Sequence, residues 1–293
     1  MSAPTRPMAP GRPSTPSPER TRPPGRRLGV RSGVMLAVTG LAGLVAFGWP
    51  LLVSPTGPLS PVQAPLVFAL VLPLLLAVVV AELSGNGLDV KGLAMLGVLS
   101  AVGAVLRPLS TGTAGMEPIF FLLILGGRVF GPGFGFVQGA VTMFTSALLT
   151  GGVGPWLPYQ MLAAGFVGLG AGLLPARLRG RAEVTMLAAY GLVTGFAYGW
   201  AMDFAFWPFA LGTSTQFSFD PDAGALANLH TFVLYNVATS MGWNLGRGLT
   251  SVVLIVLLAP GLLHVLRRAA RRAAFVRADK VLPKREGPGA PEE

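Results

Sequence analysis

The chain has no cysteine. That excludes a disulfide framework, a thiolate metal site and a cysteine nucleophile. Histidine is almost absent: His230 and His264 lie at opposite ends of one segment, with no carboxylate cluster joining them. No metal site is therefore expected, and His230 reads as a loop-cap residue. The only lysines are Lys91, Lys280 and Lys284, and none completes a Gly-x-x-x-x-Gly-Lys-[Ser/Thr] run. The chain thus has no P-loop for ATP hydrolysis. Its 12 acidic residues are scattered, without the paired acids or nucleophile–base sets that an intramembrane enzyme needs, and no catalytic residue is assigned. Charge is scarce altogether, at 12% of residues against about 25% in soluble domains.

What fills the chain instead is apolar. Hydrophobic residues make up 52%, mean hydropathy is +0.63, and apolar runs recur near the ~20 residues needed to cross a bilayer. The expected fold is an all-α integral membrane protein. Glycine, with 40 residues, supplies small-xxx-small spacings that let helix backbones approach closely in lipid. The net charge of +10 does not point to nucleic acid. The basic residues sit in the two tails and in loops on one side, which marks the cytoplasmic face of a membrane protein.

Residues 1–32 are rich in Pro, Ser, Arg and Gly and are expected to form a disordered basic cytoplasmic tail. Arg26-Arg27 could open a twin-arginine signal. The run that follows is long for a signal core, and no small-residue cleavage site stands out, so a positive flank is the simpler reading. Spans are expected at 33–53, 64–81, 92–106, 118–127, 132–149, 155–174 and 184–209. The segment 229–266 is too long for one upright span. Two spans would put the basic C-terminal region outside, so one span from about Tyr235 is preferred, with 229–234 in an outer cap. The domain plan is then two extra N-terminal helices (33–82), a six-helix core (90–266) and a second basic cytoplasmic tail (267–293). Eight spans leave both termini cytoplasmic in a multi-pass cell-membrane protein. Inside lie Lys91, Arg128, Arg177, Arg179, Arg181 and both tails; outside, only Arg107 is basic, and Arg247 lies within the last span. Loops 107–117, 150–155 and 210–234 fall outside.

The stretch 107–160 concentrates polar and Gly-rich loops on one side of apolar helices, as at the mouth of a helical bundle where small molecules bind. Arg107 and Glu117 bracket the first loop and form a pair tying its ends, or one of them meets a ligand. Ser110, Thr111 and Thr113 offer hydroxyls beside flexible glycines. Trp156 and Tyr159 suit interfacial anchors or ring-stacking contacts. Gln160, an amide one turn inside an apolar helix, wants a partner. Trp200, Asp203 and Trp207 line the outer end of the seventh span. Asp203, an acid below the surface, needs a cation or donors; Arg247 matches it in depth, so they form an ion pair, or Asp203 meets ligand. Tyr235, Asn236, Trp243 and Asn244 face the same outer half. Arg128 reads as a snorkelling anchor at the opposite side.

Several motifs along this region resemble one family. They are Arg107-Pro108-Leu109, Gly112-Thr113-Ala114-Gly115, Glu117-Pro118-Ile119-Phe120-Phe121, Gly131-Pro132-Gly133-Phe134-Gly135-Phe136, Gly151 through Met161 and Gly242-Trp243-Asn244-Leu245-Gly246-Arg247. Their order resembles the substrate-binding S component of energy-coupling factor (ECF) vitamin transporters, most of all the actinobacterial type, over about 90–266.

The resemblance implies a six-helix core with an outward-facing pocket under the loops that follow the first, third and fifth core helices. It implies partners: a membrane scaffold subunit and a pair of ATPase subunits, with the S component toppling in the bilayer to release its cargo. It implies a transported vitamin, cobalamin-like as the first guess, and no covalently bound cofactor. It also implies that a small-residue face on the first core helix meets the scaffold. The family's Ala-x-x-x-Ala pattern is replaced here by Gly97-x-x-x-Ala101 and Ser100-x-x-x-Ala104, with Ala94 on the same helix; ordinary packing is the competing reading. Two other functions stay open at this level: an ion-coupled secondary transporter using Asp203 and Arg247, and a membrane scaffold that binds only proteins.

Overall fold

In a bilayer each backbone N–H and C=O must be satisfied within the protein, so apolar runs of this length become helices. The computed structural model describes residues 30–52, 77, 79, 90–110, 114–211 and 215–281. Among them run eight α-helices: α1 (Val30–Leu52), α2 (Val90–Leu106), α3 (Ile119–Phe130), α4 (Pro132–Thr150), α5 (Leu157–Leu173), α6 (Gly180–Ala210), α7 (Ala225–Thr239) and α8 (Met241–Val281). Stretches of α4, α6 and α8 are each long and apolar enough to cross a membrane, and α2, α3 and α5 are shorter apolar helices. The expected span at 64–81 lies outside the described residues except for Ala77 and Val79; so does the expected disordered tail 1–32 except for residues 30–32, which are helical and open α1.

The shortest apolar helix is the central one. Every residue of α3 from Ile119 to Arg128 is buried, packed against α2, α4, α5, α6 and α8. Its 12 residues rise only ~18 Å, well short of the ~30 Å hydrocarbon layer. Both ends of α3 therefore stop inside the bundle. At one end the loop after α2 descends to meet it; at the other, Gly131 alone joins it to Pro132, the first residue of α4. The former end is called here the loop pole and the latter the arginine pole.

Backbone contact seals α3, α4 and α5 together. A Cβ at Gly168 of α5 would strike the Gly135 carbonyl of α4, and one at Gly127 of α3 would strike the Gly168 carbonyl. The obstruction is main chain, which cannot rotate aside. Gly168→Ala is expected to cost ~1–3 kcal/mol by overpacking, read as a lower midpoint in SDS-induced unfolding. Gly97→Ala is the control: its Cβ meets nothing within 4 Å, and alanine favours helix. Equal midpoints for the two variants would refute the seal. On the other side, α6 packs extensively on α8, and α1 leans on α6. Trp49 of α1 donates from Nε1 to the Ala205 carbonyl at 2.9 Å.

The structure corrects several expected boundaries. α3 runs three residues past 127, and Arg128 is no snorkelling anchor. It is 2% exposed, bonds the Glu183 carboxylate at 2.6 Å, and donates to the carbonyls of Leu174, Pro175 and Leu178. Those carbonyls follow the end of α5, so the guanidinium serves groups that no helix can. Residues 180–183, expected in a loop, form the first turn of α6. The segment 229–266 holds one long span, as expected, but the span begins at Met241 rather than Tyr235. Residues 225–239 form the separate helix α7, and the join is Ser240, whose N–H is satisfied by the Asn236 carbonyl at 2.9 Å. α8 continues to Val281, through residues that the charge pattern assigned to a tail.

Candidate functional site at the loop pole

Polar side chains on four segments converge where α3 begins. Glu117, just before α3, accepts two bonds from Arg247 of α8, from Nε at 3.0 Å and from Nη2 at 3.2 Å. Arg247 Nη1 donates to Asn244 Oδ1 at 2.9 Å and to the Gly195 carbonyl of α6 at 3.2 Å. Asn244 lies 3.5 Å from Asn236 Oδ1 on α7, a long contact. Asn236 Nδ2 then donates to Asp203 Oδ2 of α6 at 2.6 Å. Asn236 and Asn244 are 0% and 1% exposed. A continuous polar string thus runs from one carboxylate to another through an otherwise apolar interior. Such strings persist when each member is satisfied.

Space for the string comes from glycine. A Cβ at Gly199 would collide with Asn244 Oδ1 and lie 2.6 Å from Arg247 Nη1. The loop itself is pinned by Gly115, at φ +75, whose Cβ position is taken by the Trp243 carbonyl. The Tyr198 ring lies under the Arg247 guanidinium at 5.2 Å, a favourable cation–π arrangement. Tyr198 and Gly199 were not singled out from the sequence. The one signal was the spacing Gly195-x-x-x-Gly199 opposite Asn244-x-x-Arg247, which says that two helices approach but not what enters between them.

The expected ion pairs are repartnered. Arg107 and Glu117 do not tie the loop ends to each other: Arg107 Nη2 donates to Gln160 Oε1 of α5 at 3.0 Å, and Glu117 takes Arg247. Asp203 forms no salt bridge with Arg247; its Oδ2 accepts from Asn236 Nδ2 instead. Trp200, Trp207 and Tyr235 belong to a separate aromatic cluster with Phe219 and Phe232. There Trp207 is 1% exposed and donates to the Phe217 carbonyl at 2.6 Å, so this trio holds α7 and the preceding loop against α6. Tyr159 is buried between Phe47 and Phe206, edge-on to both. Trp156, 45% exposed, turns back on the Gly152 carbonyl at 3.2 Å. Thr111, Thr113 and the side chain of Ser110 lie outside the described residues. On α2, Ala94, Gly97 and Ala101 are exposed, whereas Ser100 and Ala104 are buried. Ser100-x-x-x-Ala104 thus belongs to the interior face of α2, the helix that packs on α4.

A family model described as "ECF transporter, substrate-specific component" matches residues 91–256, which include every member of the polar string. The chain belongs to that family. This S component is a substrate-binding subunit of a transporter and not an enzyme, in a family whose members work with a scaffold subunit and ATPases. It is a multi-pass membrane protein. No curated protein and no solved structure matches it. α1 and the end of α8 extend beyond the matched stretch.

Proposed function

We propose that this S component captures a vitamin at the loop pole, that this pole faces the cell exterior, and that both termini are cytoplasmic. The observation that carries the reading is the Glu117–Arg247–Asn244–Asn236–Asp203 string, buried at its centre and half-buried at its two carboxylates, beside the loop that enters α3. With Arg107, its charged members balance: two arginines and two carboxylates. Such a site suits an uncharged ligand rich in donors and acceptors better than a highly charged one. Cobalamin or a related corrinoid remains the first candidate for this reason, ahead of riboflavin and thiamine. The vitamin is cargo rather than cofactor. The pinned 107–117 loop acts as the cover, and release inward is driven by a scaffold subunit with a pair of ATPases. The exposed Ala94, Gly97 and Ala101 on α2 offer a close-approach face for that scaffold. The orientation is supported by Arg128, Arg177, Arg179, Arg181 and Arg267 at the arginine pole.

The test is ligand identification. Full-length protein purified under mild conditions is expected to release a stoichiometric vitamin on denaturation, seen by mass spectrometry, and to rebind it from a panel of cobalamin, riboflavin and thiamine. Folded protein that neither carries nor binds any of them would sink vitamin capture. Uptake by the chain alone under a proton gradient would favour ion-coupled transport instead. Orientation has its own probe, since the chain lacks cysteine: Gly152→Cys should react with an impermeant maleimide on intact cells, and Arg179→Cys only after lysis.

A further inference from the structure

At the arginine pole, far from the polar string, a cleft of about 880 Å³ opens between the first turns of α6 and the middle of α8. Its character changes along α8. Arg271 and Arg267 line one end, with Arg181 opposite on α6; Leu263, Pro260 and Val256 line the other. From Arg271 to Val256 is 15 residues of helix, or ~22 Å. That is about the depth of one leaflet, half of a ~40–45 Å bilayer.

The charge at the polar end is in excess. One carboxylate, Glu183, serves Arg128 at 2.6 Å, Arg267 at 2.6 Å and Arg179 at 3.6 Å. Among the described residues, Arg181 and Arg271 form no ion pair. The first turn of α6 adds to the field, because its N-cap, Arg179, makes no side-chain cap bond, which leaves helix N–H groups and the positive end of the dipole at the same place. A soluble anion would match the polar end and leave the apolar end unused. An amphiphile with a phosphate headgroup matches both.

We infer that this cleft is a binding site for one anionic phospholipid, with its phosphate among Arg181, Arg267 and Arg271 and an acyl chain along Val256 and Leu263. Basic pockets between transmembrane helices are known to hold anionic headgroups.

The test uses delipidated full-length protein in neutral detergent, titrated with phosphatidylglycerol or phosphatidylcholine and read by native mass spectrometry. One phosphatidylglycerol should bind per chain in preference to phosphatidylcholine. Each cleft arginine contributes roughly fivefold, so Arg181→Gln with Arg271→Gln should reduce that preference by roughly 25-fold. Arg177→Gln with Arg268→Gln removes the same charge from exposed positions outside the cleft lining and should leave it intact. Equal losses in the two double variants would overturn the site in favour of diffuse surface charge. Equal binding of the two lipids would overturn it as well. Full displacement by millimolar inorganic phosphate would reassign the cleft to a soluble anion. Retained unfolding midpoints for both double variants separate loss of binding from loss of fold.

Discussion

Glu183→Leu is expected to destabilise the protein by ~3–5 kcal/mol, the range for removing one partner of a buried ion pair. The reason lies in what it leaves behind. Arg179 can turn to water, since its side chain is 63% exposed, and Arg267 can do so in part at 28%. Arg128 cannot, since its side chain is 0% exposed. Its three carbonyl partners satisfy its N–H groups without neutralising its charge. Glu183→Gln should cost less, because an amide oxygen still accepts. The sharper expectation concerns the pair. Arg128→Met combined with Glu183→Leu removes both buried charges and should be less destabilised than Glu183→Leu alone, because no fully buried ion is left uncompensated. SDS-induced unfolding of the unchanged protein, Glu183→Leu, Glu183→Gln, Arg128→Met and the double variant gives the comparison. A double variant worse than the sum of its parts would show that the carbonyl clamp, not the charge balance, dominates at this pole.

Arg247→Ala should weaken ligand capture by roughly 10²-fold, the scale for truncating one member of a hydrogen-bonded charge pair that is partly buried. Arg247 binds Glu117 in the loop, Asn244 on its own helix and the Gly195 carbonyl of α6. Without it the string keeps two carboxylates and no cation, and the loop loses one of its holds on α8. Most of the loss should appear in the dissociation rate, since residues 114–117 are then held less firmly against α8. Arg247→Lys should recover little, because an ammonium cannot span both Glu117 oxygens while reaching Asn244. Asp222→Asn, on the exposed loop before α7, is the control and should bind normally. Stopped-flow tryptophan fluorescence with the identified ligand would measure both rates. Binding by Arg247→Ala within threefold of the unchanged protein would remove the string from the capture site.

Apart from α7, the existence and order of the described helices were legible in the sequence because apolar run length and the placement of arginines are one-dimensional signals. Pairing was not. Depth along a helix can be counted from residue number, and that count correctly put Asp203 and Arg247 at a similar level. Which way each faces depends on how three helices are rotated, and the insertion of Asn236 between them is a consequence of α7, whose start at Ala225 has no side-chain cap to announce it. The break at Ser240 was equally quiet: neither proline nor glycine stands there, and Thr239 and Ser240 bond each other and local carbonyls. Arg128 was misread because the sequence gives its distance from the helix end but not the curl of residues 174–178 around it. The stripe on α2 shows the same limit, since Gly97/Ala101 and Ser100/Ala104 are equally small and only the rotation of the helix decides which pair is left uncovered.

The glycine contacts among α3, α4 and α5 also bear on movement. Where main chain rests on main chain no corridor can widen without pulling whole helices apart, so those three behave as a solid block. On the opposite flank α3 meets α6 through side chains, with the Phe120 ring edge-on to Tyr198 and Ile124 beside Gly191. Side chains can slide where main chain cannot, so α3 is freer to shift against α6 than against α4 and α5, and Arg247 bridges that looser side by bonding both Glu117 and the Gly195 carbonyl.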